Sequence, residues 1–217
     1  MKRILTTIFI GLFTVSCFGQ KSTLTTAESE LLRKIEFNAD IMSELKDLTR
    51  SELHQLPAID EETGDVVHEK YYKGIYSETT EAYAVEFVKK LKAKFRAHGY
   101  LIFVFEGEVN EKGVAVIKGQ DELDILRYRR TDGINYDLNN EDVVKKVSEW
   151  KSAFGLQVIG CSRDWLYLEF DELPKDIAAF AKEVYEFCPD TVDQGVGTME
   201  KLKEVIVEMK GVWLWWD

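Results

Sequence analysis

A run of six apolar residues at 100–105, Tyr-Leu-Ile-Phe-Val-Phe, constrains this chain more than any other stretch. It reads as a strand, and a second apolar strand at 114–118 follows it across a polar turn holding Gly107, Asn110 and Gly113. Helical periodicity surrounds the pair. Residues 79–98 carry Ala84, Phe87, Val88, Leu91 and Phe95 on one stripe, with Gly99 as the stop. Acidic side chains lie towards the start of that helix and Lys90, Lys92, Lys94 and Arg96 towards its end, which suits the helix dipole.

The same alternation continues towards the C-terminus. A short helix is expected at 121–129. Another runs from Asn140 as its cap to Phe154, with Gly155 ending it. Two apolar runs, 156–161 and 165–170, are joined by Ser162-Arg163-Asp164, a hairpin signal. Pro174 opens a helix lined by Ile177, Phe180, Ala181, Val184 and Tyr185, and Thr198 caps the next one, 199–210. Residues 212–216 form a terminal strand. Helices and strands are mixed and at least one hairpin is present, so the expected class is α+β. It is a mainly antiparallel or mixed sheet covered by helices, in a single main domain over 70–217.

Residues 20–69 read as a helical arm and an acidic linker. Thr25 with Glu28 makes a capping box, and Leu31, Leu32, Ile35, Ala39, Met42, Leu45 and Leu48 recur at helical spacing, so one helix is expected from 27 to 50. Residues 51–69 hold Pro57, Gly64 and many acidic side chains and read as loop. An edge strand is expected over 68–76.

Residues 1–19 have the pattern of a secretion signal: Lys2 and Arg3, then an uncharged apolar core too short to span a bilayer. Two cleavages fit. Cys17 and Gly19 are small residues at −3 and −1 of a cut before Gln20, which gives a soluble exported protein. Thr14-Val15-Ser16-Cys17 resembles a lipobox, which puts a lipid on Cys17 and makes that lipid the sole link to a membrane. Either way the expected location is periplasmic or cell-envelope. Loss of the leader leaves 26 basic against 39 acidic side chains, a net charge of −13 where the whole chain has −11. With 45 % hydrophobic and 31 % charged residues the composition is that of a folded globule. Its acidity excludes nucleic acid, which demands a basic face, and favours a basic protein partner.

No catalytic signature appears: no GxSxG, P-loop, GxGxxG or HExxH. No cofactor is implied. Cys161 and Cys188 could pair as a disulfide in an exported protein, or stay as separate buried thiols. Three polar or aromatic clusters are candidate binding sites. The loop around Asp190, Asp193 and Gln194 offers oxygen ligands, or two carboxylates tied to nearby backbone. The turn of Asn135, Tyr136 and Asp137 offers a recognition loop, with Tyr136 as a contact. The closing Trp213-Leu214-Trp215-Trp216-Asp217 puts Trp213 and Trp215 on one strand face and Leu214 and Trp216 on the other. One face enters the core, and the other could meet a partner.

These pieces occur in a specific order. Asp124-Ile125-Leu126-Arg127, then Thr131 with Asn135-Tyr136-Asp137, then Cys188-Pro189-Asp190 with Asp193-Gln194-Gly195, and finally Trp215-Trp216-Asp217 resemble the bacterial family called domain of unknown function 4253. The resemblance covers 114–217. It implies a compact α+β domain whose polar motif residues meet near one surface, and it brings no established activity. The leader and the arm depart from the family pattern. The expected function is a non-enzymatic, exported protein- or ligand-binding module. The alternative is a carboxylate- or metal-dependent hydrolase-like enzyme using Asp190, Asp193 and Asp217.

Overall fold

The computed structural model of the protein describes residues 22–106 and 112–217. The expected leader with Cys17, and Gly107 and Asn110 of the expected turn, lie outside the described residues. Seven strands form one open sheet of order β1-β2-β4-β3-β5-β6-β7. They are β1 His54–Ile59, β2 Val66–Glu78, β3 Tyr100–Glu106, β4 Lys112–Lys118, β5 Leu156–Cys161, β6 Trp165–Phe170 and β7 Gly211–Trp215. All neighbours are antiparallel except β3 and β5. The class is α+β, as the sequence reading expects.

Helices cover both faces. On one side lie α1 Thr26–Lys34, α2 Ala39–Thr49 and α3 Glu81–Ala97; on the other, α4 Leu123–Arg129, α5 Asn140–Phe154, α6 Ile177–Phe187 and α7 Met199–Met209. The apolar run in β3 explains this arrangement. Leu101, Phe103 and Phe105 point to the α4–α7 side with Ala115 and Ile117 of β4. Tyr100, Ile102 and Val104 point to the α1–α3 side with Val114 and Val116. A strand without a polar face must be buried on both. At the start of β4, Gly113 pairs with Glu78 of β2 and Phe105 of β3. A Cβ there would lie 2.5 Å from the Ser77 carbonyl oxygen, so only glycine fits.

The N-terminal region corrects the sequence reading in two places. The single helix expected over 27–50 is two helices. Glu36 adopts a left-handed φ of 61° and Asn38 caps α2, its side chain accepting from the Asp40 and Ile41 N–H groups. The break turns Phe37 inward, where its ring packs 5.0 Å from Tyr100, and the Asn38 N–H donates to the Tyr100 hydroxyl. The apolar spacing runs on through the break, which hides it from periodicity. The expected acidic loop over 51–69 instead contains β1 and the start of β2. Pro57 is accommodated because β1 is an edge strand whose register shifts on both sides of it. The strand expected at the edge is therefore second from it. Smaller shifts occur elsewhere. Asn139 rather than Asn140 caps α5, and Asp176 caps α6 two residues after Pro174.

The sheet has one weak seam. β3 and β5 share two register pairs, Val104 with Gly160 and Phe105 with Cys161. Below them the strands part and the backbone of Val158 faces the gap. Two buried side chains fill it, one from each helical layer. Glu122, at the start of α4, accepts the Val158 N–H at 2.7 Å. Lys92, from α3, donates to the Val158 carbonyl at 2.6 Å and to Glu122 at 3.1 Å, and Arg96 pairs with the other Glu122 oxygen. Burial, with the Arg96 guanidinium adding to it, pulls the Lys92 ammonium down to about 7. The carboxylate and the ammonium thus do for Val158 what a neighbouring strand would have done. Glu122→Ala is expected to lower the unfolding free energy by about 3–5 kcal/mol in urea titration, because it strands both the Lys92 charge and the Val158 N–H.

Candidate functional site

The polar residues of the C-terminal half gather around one carboxylate. Asp190 follows α6 and is 3 % exposed. Its Oδ1 accepts from the Tyr136 hydroxyl at 2.6 Å and the Gln194 amide at 2.9 Å, and its Oδ2 accepts from the Asp217 N–H at 3.0 Å. Three segments are joined this way: the 3₁₀ turn Ile134–Tyr136, the π-helical turn Thr191–Val196 and the C-terminus. Burial pushes the Asp190 carboxyl up, but the hydrogen bonds from Tyr136, Asp217 and Gln194 outweigh it and hold the group below the ordinary carboxylate range. The bond to Asp190 pushes Tyr136 up to about 12, so it stays a donor.

The same loop closes the edge of the sheet. β7 is the last strand, and the carbonyls of Trp213 and Trp215 point away from β6. The Cys188 thiol donates to the Trp215 carbonyl at 3.0 Å, and the Thr191 hydroxyl reaches the Trp213 carbonyl at 3.4 Å. Trp216 then turns into the core. Its N–H donates to the Asp164 carbonyl at 2.9 Å and its indole to the Phe187 carbonyl at 3.3 Å. A Cβ on Gly133 would stand 2.8 Å from the Trp216 ring. The Cys-Pro-Asp segment is therefore edge cover, holding the backbone on either side of Trp216, and the Trp216 ring is core.

Of the residues singled out in the sequence, Tyr136, Asp190, Gln194 and the Asp217 backbone meet, while Trp216 lies in the core against Phe187 and Gly133. Asn135 and Asp137 are exposed on their turn, with Asp137 in the left-handed region at φ 58°. Asp193 is exposed and faces the Tyr185 hydroxyl at 3.4 Å instead of Asp190. Three donors take three of the roughly four acceptor sites of Asp190, and its burial leaves little of the group open to a substrate or an ion. Among the described residues, no group of three or more His, Cys, Asp or Glu side chains is placed to hold a metal.

The Cys161–Cys188 bridge considered from the sequence does not form; both thiols are free and buried. Cys161 lies on β5 and Cys188 caps the far side of β7, with β6 between. Two strand spacings, about 9–10 Å, exceed the reach of a disulfide. Burial pushes the Cys161 thiol up to about 12 and raises Cys188 as well.

Trp215 belongs to a second feature, on the opposite face of β7. β6 and β7 pair Trp165 with Trp215 and Tyr167 with Trp213. Trp213 stacks on Trp165 at 5.0 Å and 18°, and on Tyr167 at 5.5 Å and 28°. α3 packs over β3, β4 and β5. It leaves Trp213 and Trp215 half-buried beside a cleft of about 450 Å³. Glu106, Asp164 and Lys112 complete the rim. The Trp165 indole donates to Glu106 at 2.5 Å, and Lys112 donates to Glu81 at 2.6 Å. Trp165 and Glu106 escaped the sequence reading. The signal available was the hairpin: once β7 lies beside β6, its alternation puts Trp165 opposite Trp215.

The molecule is thus an α+β sheet protein whose C-terminal strand is locked by Asp190 on one side and presents tryptophans on the other. Residues 113–217 match the model of the family described as Domain of unknown function (DUF4253), which supports the resemblance read from the sequence. The match runs from β4 through β7 and takes in the Asp190 cluster and all three cleft tryptophans; Glu106, Lys92 and α1–α3 lie before it. No curated protein and no solved structure matches the chain.

Asp190→Asn is expected to cost about 2 kcal/mol near neutral pH, since a carboxylate with three donors becomes an amide. The native carboxyl titrates below its unfolded value, so its contribution is complete above the unfolded pKa, near 4, and fades as pH falls through the native one. Urea midpoints of wild type and variant should therefore converge on acidification below about pH 4.

Proposed function

We propose that this chain is a non-enzymatic binding module and that its contact site is the tryptophan cleft between β6 and β7. The observation that carries the reading is the pair of half-buried tryptophans, Trp213 and Trp215, beside a concavity of about 450 Å³ with carboxylates on its rim. Aromatic rings set into a mainly polar lining, with charged groups on the rim, suit recognition of a polar or charged partner group. The Asp190 cluster supports the cleft, because it fixes the strand that supplies two of the three rings.

The partner we propose is a basic protein, drawn by a net charge of −11, or −13 once the leader is gone. We also propose export to the periplasm or cell envelope, on the strength of residues 1–19 alone. Fractionation of cells producing the full chain tests the address. Recovery in the envelope or periplasm is expected; retention in the cytosol removes it.

The site is tested by a fragment screen on isotopically labelled protein, read through the indole N–H signals of its five tryptophans. Hits are expected to shift Trp165, Trp213 and Trp215 while the core Trp150 stays still. Hits that instead shift the backbone around Asp190 and Asp193 would overturn the cleft and favour the carboxylate-based enzyme.

A further inference from the structure

The stacked rings form a ladder, Trp165–Trp213–Tyr167, and one end already shows what it takes. Lys89 of α3 places its ammonium 5.6 Å from the centre of the Tyr167 ring, and Glu169 on the next outward position of β6 pairs with that ammonium. The arrangement is a cation on an aromatic face with a carboxylate at its side, a combination in which the ring quadrupole and the counter-charge both favour the cation. The other end is built from the same parts. Trp165 closes the ladder, Trp215 stands opposite it in register, and Glu106 and Asp164 bring carboxylates to the same cleft. Here the described residues supply no cation on the rings: those lying over aromatic faces are Lys89 on Tyr167 and Lys118 on Phe37. Lys112, the basic residue on the rim, pairs with Glu81 and also lies across from Glu106 in register, so it partly balances that carboxylate and leaves Asp164 as the less compensated one.

We infer that the cleft receives a single cationic side chain of the partner, a guanidinium or alkylammonium, against the half-buried ring of Trp215, beside the buried Trp165, with Glu106 and Asp164 as counter-charges. The inference rests on the cleft reading above and deepens it by naming the chemical group recognised. The volume suits it, since about 450 Å³ holds one long side chain with its flanking backbone and water. So does the polarity. Glu106 is fixed by the Trp165 indole, which aims its carboxylate along the ring edge without a conformational search.

The test uses the full chain and two probes of the same shape, N-acetyl-arginine N-methylamide and its neutral citrulline counterpart, followed by tryptophan fluorescence. A single charge, measured at physiological salt, keeps general attraction to an acidic protein small. The arginine probe should quench saturably and bind about tenfold tighter than the citrulline probe, as a partly desolvated cation–π contact provides. Glu106→Gln keeps the acceptor for the Trp165 indole but removes the charge. It should weaken the arginine probe several-fold and leave the citrulline probe unchanged. Trp215→Leu should weaken the arginine probe too, and should it fail to fold, the Glu106 variant still decides. Equal affinity for the two probes overturns the cation, and so does indifference of the arginine probe to Glu106→Gln. Silence of both probes while fragments still shift Trp165, Trp213 and Trp215 also overturns it and leaves the cleft standing. Fragment shifts elsewhere bring down the cleft itself.

Discussion

The sheet holds together because a buried carboxylate and a buried ammonium meet at its seam. Seven strands sound continuous, but β3 and β5 share only two register pairs, so the sheet is two antiparallel units joined at a corner. Val158 would otherwise present its backbone to an apolar interior. Glu122 and Lys92 reach it from opposite helical layers, and in doing so tie α3 to α4 through the sheet. Burying two charges is costly, and it is offset here by hydrogen bonds to both Val158 backbone groups and by the ion pair of Arg96 with the second Glu122 oxygen. The cleft depends on this seam, because Glu106 ends β3 while Trp165 starts β6 on the other side of it.

A similar economy governs the C-terminal strand. An edge strand exposes unpaired carbonyls and invites association with other chains. Here the Cys-Pro-Asp-Thr segment covers that edge with a thiol and a hydroxyl, and Asp190 then binds the backbone just beyond it. What resembles a reactive cluster in the sequence is a fastening. Its effect is to hold Trp213 and Trp215 on a fixed strand, and rigid placement of aromatic rings is what a recognition surface requires.

The elements with strong local signals were legible. The β5–β6 hairpin, the Thr198 cap of α7, the course of α3 and the face alternation of the last strand all follow from residue pattern. Misreadings arose where tertiary contacts overrode local preference. Pro57 looked like a loop because edge strands are the exception that tolerates it. Glu36 in a left-handed conformation leaves no mark on the apolar spacing around it. The Asp190 cluster was half visible: its members could be named, but whether they faced a ligand or one another depended on Tyr136, 54 residues away. Glu106 and Trp165 were invisible as a pair, since 59 residues separate them and neither sits in a motif.

The two-sided burial of β3 has a consequence for how the sheet chooses its alignment. A strand with one polar face announces its register, because a slip of one residue would turn that face inward. The Tyr-Leu-Ile-Phe-Val-Phe run has no such face, so hydrophobicity alone would tolerate a shifted pairing almost as well as the native one. The information has to come from shape. For β4 against β2, Gly113 supplies it: the Ser77 carbonyl leaves room there for a hydrogen and nothing larger. A slip in either direction would bring Lys112 or Val114 to that spot, and the β-carbon of either would collide with backbone. One missing side chain thus does for β4 what a polar face does elsewhere, and it acts by exclusion.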